Sequence, residues 1–227
     1  MPRKFNRPQN IVALTSRRKD GNARSLSCLN TLLDRRGLPL SIATAKQVHG
    51  MHIVKVPKLD KARKYPAADG LMTPFADQPL GIFTADCASI FLSAPSQGVV
   101  GLLHAGWRGV RGKILQKAIR MARREWNCQP ADFLVWIGPS IGPCCFEVRW
   151  DAARFFPATR HRKKDRWVVD IHQELERQAR RLGVQLVKAP RSCTHHQSLY
   201  HSFRRDQTEE RQVSIIMRRT HGIAKKA

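Results

Sequence analysis

The stretch LGIFTADCASIFLSAPSQGVVGLLHAGWRG, residues 80–109, carries the pattern that decides the architecture. Leu80 to Thr84 and Ala88 to Ser93 are apolar runs of strand length, separated by a break at Asp86-Cys87, and both read as buried strands. Gly98 to Leu103 is a third such run, with His104 at its end. Gly106 and Gly109 then mark a turn. Beyond it Val110, Ile114, Leu115, Ala118, Ile119 and Ala122 share one face of a helix expected over 110–126. Cys87 and His104 therefore stand at strand ends, where a rigid scaffold holds a side chain that is still open to a cleft.

Outward from this stretch, strands are expected at 11–15, 42–44, 53–56, 133–137, 184–187 and 213–217. A second helix is expected at 171–182, with Ile171, Leu175, Ala179 and Leu182 on one face and Gly183 as its stop. Many strands with few helices indicate an α+β fold with mixed sheets rather than a regular doubly wound repeat. There is no internal repeat or low-complexity linker. A chain of 227 residues, 42% of them hydrophobic, can bury a core without disulfides, so residues 1–227 are expected to form a single catalytic domain.

Three side chains in separate tight frames carry the chemistry: His49 in Gln47-Val48-His49-Gly50, Cys87 in Thr84-Ala85-Asp86-Cys87, and His104 in His104-Ala105-Gly106-Trp107-Arg108-Gly109. Two imidazoles and a thiolate suit zinc, and three protein ligands leave a position for water or substrate, as in a catalytic site. Zinc held this way lowers the pKa of bound water toward about 7. The separations are long, so the fold must bring the three together. The same residues support a metal-free reading, in which an imidazole activates Cys87 as a nucleophile. Gly106 to Gly109, leading into a helix, offers free N–H groups to an anion, with Arg108 in the turn. Asp86 and Asp69 each read either as a general base or as a turn and ligand-orienting residue. Cys145 reads as a packed thiol rather than a fourth ligand, and His195, His196 and His201 as parts of an exposed loop.

In order along the chain, Gln47 to Gly50, Ala68-Asp69-Gly70-Leu71-Met72-Thr73, Thr84 to Cys87, His104 to Gly109 and Gly138-Pro139-Ser140-Ile141-Gly142-Pro143-Cys144-Cys145-Phe146-Glu147-Val148 resemble the signature blocks of the YfiH family. Its members are labelled laccase-domain or polyphenol oxidase proteins, purine nucleoside phosphorylases and peptidoglycan editing factors. Cys193-Thr194 and Ser202-Phe203-Arg204-Arg205-Asp206 resemble its closing elements. The resemblance implies a layered α/β/β/α arrangement. It also implies zinc-dependent phosphorolysis of adenosine or inosine with adenosine deaminase activity, the metal on His49, Cys87 and His104. Arg108, Gly106, Gly109, Arg204 and Arg205 would then contact substrate and phosphate. An amidase-like editing reaction on a peptidoglycan precursor is the alternative. Two segments depart from the family pattern. The stretch Thr31 to Lys46 is short and lacks an Asn-Arg pair, leaving Arg35-Arg36 as the nearest basic residues, and Glu209-Glu210-Arg211 stands where Thr-Gly-Arg is usual. Laccase chemistry needs several coppers and many histidines, and of nine histidines only His49 and His104 lie in matching blocks, so copper ranks below zinc as the cofactor.

The formal net charge is +24, which raises a reading of another class, a basic nucleic-acid-binding protein. The basic residues are scattered, from Arg17 to Lys19 through Arg120 to Arg124, Arg160 to Arg166 and Arg177 to Arg181 to Lys225-Lys226. No nucleic-acid motif accompanies them, so non-specific nucleic-acid binding and attraction of anionic substrates are the expectation. With no apolar run long enough for a signal h-region or a membrane span, and six cysteines without a secreted disulfide framework, a cytoplasmic location is expected.

Overall fold

Strands buried on both faces read as unbroken apolar runs, and the period-two alternation within them decides which layer each side chain enters. The computed structural model describes residues 10–187, 189 and 191–220. In chain order its elements are β1 (Ile11–Thr15), α1 (Leu26–Arg35), β2 (Ala43–Ala45), β3 (Ile53–Lys55), β4 (Arg63–Tyr65), β5 (Gly70–Thr73) and β6 (Leu80–Thr84). They continue with β7 (Ala88–Ala94), β8 (Val99–Ala105), α2 (Trp107–Arg111), α3 (Ile114–Trp126), β9 (Leu134–Ile137), β10 (Glu147–Val148), α4 (Trp150–Ala153) and β11 (Arg160–Lys163). The last are β12 (Arg166–Val169), α5 (Ile171–Leu182), β13 (Gln185–Leu186), α6 (Phe203–Asp206) and β14 (Gln212–Arg218).

Two mixed sheets stack face to face. One has the order β1-β14-β6-β2-β4 and the other β13-β9-β7-β8-β5-β3, while β10-β12-β11 form a small third sheet. Between the two large sheets lie Leu80, Ile82, Phe91, Val100, Leu102, Trp136 and Ile216. Their neighbours in sequence point the other way: Ile90, Leu92, Leu103 and Val135 meet Ile114, Leu115, Ala118 and Ile119 of α3 and Leu175 and Ala179 of α5. On the opposite outer surface Val213, Ile215 and Met217 of β14 meet Leu29, Leu32 and Leu33 of α1. The result is the α/β/β/α layering, an α+β fold with mixed sheets, and it follows from which alternate residues of β7, β8 and β14 are apolar on both faces.

The helix expected over 110–126 is two helices. Lys113 has φ +59°, a left-handed conformation that breaks α2 from α3. A Cβ on the neighbouring Gly112 would lie 1.8 Å from Met51 Sδ, so glycine admits that side chain at the break. The helix expected at 171–182 forms as read, with Asp170 accepting from the Gln173 N–H at 2.8 Å and Gly183 at φ +74° ending it. The basic residues of α3 and α5 that are exposed, Lys117, Arg120, Arg123, Arg124, Arg180 and Arg181, lie on solvated faces. Lys225 and Lys226 lie outside the described residues. No helix among the described residues is long and apolar enough to cross a membrane.

Candidate active site

Strand register brings the site together. β7, β8 and β5 are neighbours, with Ser89 opposite His104 and Gly70 opposite Leu103. Cys87 lies one residue before β7, His104 one residue from the end of β8, and Asp69 one residue before β5, so all three meet at the same sheet end. His49 comes from the turn before β3, at φ +58°. That turn is fastened by the fully buried Asp69: Oδ2 accepts from the Gly50 N–H at 2.7 Å and the Val48 N–H at 3.3 Å, and Oδ1 from the His49 N–H at 3.0 Å.

Asp69 Oδ1 also lies 2.7 Å from His104 Nδ1, which leaves Nε2 as the nitrogen turned to the cluster. This carboxylate–imidazole pairing is the arrangement that orients a metal-ligating histidine. One ligand atom each from His49, Cys87 and His104 falls within 4.8 Å of the others. The two imidazoles meet edge to face with centroids 4.8 Å apart. Tetrahedral bonds of about 2.0–2.3 Å place ligand atoms about 3.3–3.8 Å apart, so the donor set fits a metal after a small inward movement.

Charge at this cluster is polarised. Burial alone would raise the Cys87 thiol, but the His104 charge and hydrogen bonds from both imidazoles outweigh it and bring it down to about 6. Burial would lower His104, but the Cys87 thiolate and the Asp69 carboxylate bring it up to about 9. At neutral pH the metal-free cluster is therefore a thiolate beside an imidazolium, the state from which a metal displaces one proton.

Gly106 closes one side of the cluster. A Cβ there would lie 3.2 Å from Cys87 Sγ and 3.2 Å from His49 Cδ2, closer than ordinary van der Waals contact, although its φ of −68° suits any residue. Gly106→Ala is expected to fold and to weaken metal affinity by about 10-fold, the lower end of what displaced supporting groups cost, as read by chelator competition. Gly109 serves packing instead, since a Cβ there would touch the Gly50 and His104 carbonyl oxygens at 3.4 Å.

Above these three side chains opens a cavity of about 450 Å³, within the range of small-molecule sites. Phe83, Ile141, Phe146 and Phe203 supply apolar wall, and Arg24, Arg204 and Arg211 supply cations. Glu209 Oε2 lies 2.7 Å from Arg24 Nη1 and 3.5 Å from Arg211 Nη2, so one carboxylate oxygen bridges two guanidinium groups. Burial and the neighbouring Arg24 charge push the Arg211 guanidinium below its ordinary value.

The other expected contacts divide. Arg204 lines the cavity, but its guanidinium donates to the Cys145 and Glu147 carbonyls at 3.2 and 3.1 Å. Arg205 does not line it: its guanidinium ties the carbonyls of Thr194, His195, Gln197 and Tyr200 and pairs with Asp206, which is a loop-fastening task. Arg108 is exposed, stacks over Trp107 at 4.6 Å and does not line the cavity either. Asp86 is not extended, having φ +84°. It accepts from the Thr194 hydroxyl at 2.6 Å and the Arg204 N–H at 2.7 Å, so it fastens the closing segment, and Asp69 orients the histidine. His201 is buried rather than in an exposed loop. Arg35 and Arg36 end α1 away from the cavity lining, whereas Arg24, whose Asn22-Ala23-Arg24 setting carries no apolar period, reaches it.

Residues 6–219 match the family model described as multi-copper polyphenol oxidoreductase laccase. The chain belongs to this family, the YfiH family. Within the YfiH family it is 44% identical over 110 residues to the purine nucleoside phosphorylase YlmD of Geobacillus stearothermophilus, a match covering 45% of this chain and 40% of that one. It is 28% identical over 187 residues to the purine nucleoside phosphorylase YfiH of Escherichia coli, covering 79% and 74% of the two chains. The crystal structure of the Geobacillus YlmD superposes with a TM-score of 0.82 at 28% identity, covering 94% of both chains.

Proposed function

We propose that this YfiH-family chain is a zinc-dependent purine nucleoside phosphorylase whose reaction centre is the cavity over His49, Cys87 and His104. The observation that carries the reading is the coincidence in one cavity of a metal-competent triad, aromatic walls of a size to hold a base, and a guanidinium pair already bridged by a carboxylate oxygen. Names of relatives that are purine nucleoside phosphorylases support it.

His49, Cys87 and His104 would hold the zinc, which when bound supplies a localised positive charge beside the ribosyl bond. Zinc is preferred to copper because a blue-copper site of this donor set adds a weak axial methionine or glutamine; the cavity lining includes no methionine, and its Gln47 has both amide atoms engaged with the Phe83 backbone. Phe83, Phe146 and Phe203 offer faces on which a purine stacks. Arg24 and Arg211 hold inorganic phosphate where Glu209 now bridges them, as charge-assisted fork-like contacts do. An oxygen of hydrogen phosphate attacks the ribosyl C1′, the bond from C1′ to the purine nitrogen breaks with its electron pair going to the base, and the proton that the phosphate gives up goes to the base. The products are ribose 1-phosphate and free purine. Adenosine deamination by water at C6, releasing ammonia, is the finer activity proposed for the same cavity.

Glu209 competes with phosphate in this scheme. Its side chain is 76% exposed, so its grip on the arginines is that of a surface pair, about 0.2–1 kcal/mol. Glu209→Gln is expected to lower the KM for phosphate by about 1.5–5-fold, the same energy expressed as a ratio, with kcat little changed.

One observation favours a second reading. Cys87, His104 and Asp69 are in the nucleophile, base and orienting relation of a thiol hydrolase, which suits the amidase-like editing reaction. Chromatography of products after incubating zinc-quantified protein with adenosine, with and without phosphate, separates the readings. Phosphate-dependent adenine is expected, with phosphate-independent inosine for deamination. A fully zinc-loaded protein that yields neither, while cleaving an amide of a peptidoglycan precursor, would replace the proposal with the second reading.

A further inference from the structure

Four metal-competent side chains meet at a second place, outside the triad. Cys144 and Cys145 lie in the turn after β9, and Cys193 and His196 come from the segment leading to α6. One ligand atom from each falls within 4.8 Å of the others. Cys144 Sγ is 3.6 Å from His196 Nδ1, and Cys145 Sγ is 3.1 Å from His196 Nε2. We propose that Cys144, Cys145, Cys193 and His196 form a closed structural zinc site that clamps the β9 turn to the segment carrying Arg204.

Three features of the backbone fit a thiolate cluster. The Gly142 N–H donates to Cys193 Sγ at 3.2 Å, the contact that stabilises sulfur as an anion. A Cβ on Gly142 would lie 3.3 Å from Cys144 Sγ and 3.6 Å from Cys193 Sγ, so glycine lets the two segments close on one point. Ser140 and Cys193 pair as an isolated parallel bridge, with the Thr194 N–H on the Ser140 carbonyl at 3.1 Å, which fixes the segments before any metal enters. Three sulfurs and one ring nitrogen of His196 on zinc need spacings of about 3.6–3.8 Å, which the four ligand atoms, all within 4.8 Å of one another, reach by a small inward movement. Three thiolates and Zn²⁺ sum to one negative charge, and Lys163 Nζ on the Cys144 carbonyl and Arg204 on the Cys145 carbonyl supply adjacent positive charge. Four protein ligands leave no open position, which makes the site structural. A disulfide would join two of these sulfurs and give the third and His196 no task.

The clamp would act on the catalytic cavity through its wall. Phe146 and Arg204 line the cavity, and Thr194, next to Cys193, holds Asp86.

The test is zinc stoichiometry by elemental analysis on the full chain prepared under reducing conditions and reconstituted with zinc. Two zinc ions per chain are expected in the parent, one in Cys87→Ala and one in the double variant Cys144→Ser, Cys193→Ser. If the double variant fails to fold, cobalt substitution into Cys87→Ala serves instead. The expected spectrum is that of tetrahedral cobalt with thiolate charge-transfer bands, and His196→Asn should weaken that cobalt binding by at least about 10-fold. One zinc in the parent that vanishes in Cys87→Ala would overturn the proposal, as would a cobalt spectrum without thiolate bands or a disulfide among Cys144, Cys145 and Cys193 under the same reducing conditions. Activity is not the readout, so failure here is distinct from failure of the phosphorylase reading.

Discussion

Cys87→Ala is expected to lose one zinc ion per chain and to lower phosphorolysis of adenosine by more than about 100-fold. Groups that merely support a ligand are worth about 10–100-fold in metal affinity or activity, and Cys87 is a ligand in this scheme, the one anionic member of the set. Its removal leaves two imidazoles, one of them already committed to Asp69 through Nδ1. Elemental analysis and product chromatography read the two losses separately. Cys87→Asp distinguishes the ligand role from the nucleophile role, because a carboxylate retains an anionic oxygen for zinc and has no thiolate. Zinc retained with partial turnover is expected. Zinc retained with turnover reduced to that of Cys87→Ala would assign Cys87 to covalent chemistry, and zinc content unchanged in Cys87→Ala would remove it from the metal site.

Much of the candidate site was legible in the sequence because the residues that would build it sit at punctuation. His49, Cys87 and His104 each stand at a strand end or turn, and the strands β6, β7, β8 and β14 are apolar on both faces, so their runs are unmistakable. Pairing order is another matter. The meeting of Asp69 with His104 depends on β5 lying beside β8 in a given register, and nothing local to Asp69-Gly70 distinguishes that carboxylate from one that closes a turn. The small sheet β10-β12-β11 was missed for a different reason: Arg160 to Lys163 is basic throughout, so it presents no apolar alternation. α1 carries its apolar face on Leu29, Leu32 and Leu33 only, too few for periodicity to stand out. The cavity cations moved for the same reason as Asp69. Arg108 and Arg205 are close in sequence to the motifs, but Arg24 and Arg211 are brought to the cavity by the pairing of segments 187 residues apart in the chain, Ala23 donating its N–H to the Arg211 carbonyl at 2.9 Å. The second cysteine cluster likewise joins residues that are adjacent only through the bridge between Ser140 and Cys193.

Asp69→Asn is expected to lower stability by about 3 kcal/mol and to weaken zinc binding at His49, Cys87 and His104 by about 10–100-fold. The carboxylate accepts four hydrogen bonds, two on each oxygen, and it is fully buried. An asparagine of the same shape must turn its NH₂ toward one of these pairs. In one orientation it faces the Gly50 and Val48 N–H groups, and both lose their acceptor; in the other it faces the His49 N–H, which loses its acceptor, and His104 Nδ1, which keeps a partner only as the tautomer that carries its proton on Nε2, the nitrogen the metal needs. Each unsatisfied buried donor costs about 1–3 kcal/mol. At about 2–4 °C per kcal/mol for a chain of this size, the midpoint of thermal unfolding should fall by about 6–12 °C. The sign of the pH dependence follows from the carboxyl itself. Burial would raise it, but the hydrogen bond from His104 and those from the 48–50 turn hold it below the ordinary carboxylate value of 3.8. Its contribution is therefore complete above that value and is lost as the pH falls through the lower folded value, and the asparagine variant should lack this acid-side loss. Asp86→Asn supplies the contrast. Asp86 accepts from Thr194 and Arg204 and makes no contact with His104, so it should leave zinc affinity at the triad within about 3-fold, less than any supporting group of a ligand is worth. Equal effects of the two substitutions on that affinity would mean that the orientation of His104 by Asp69 is not what prepares the metal site.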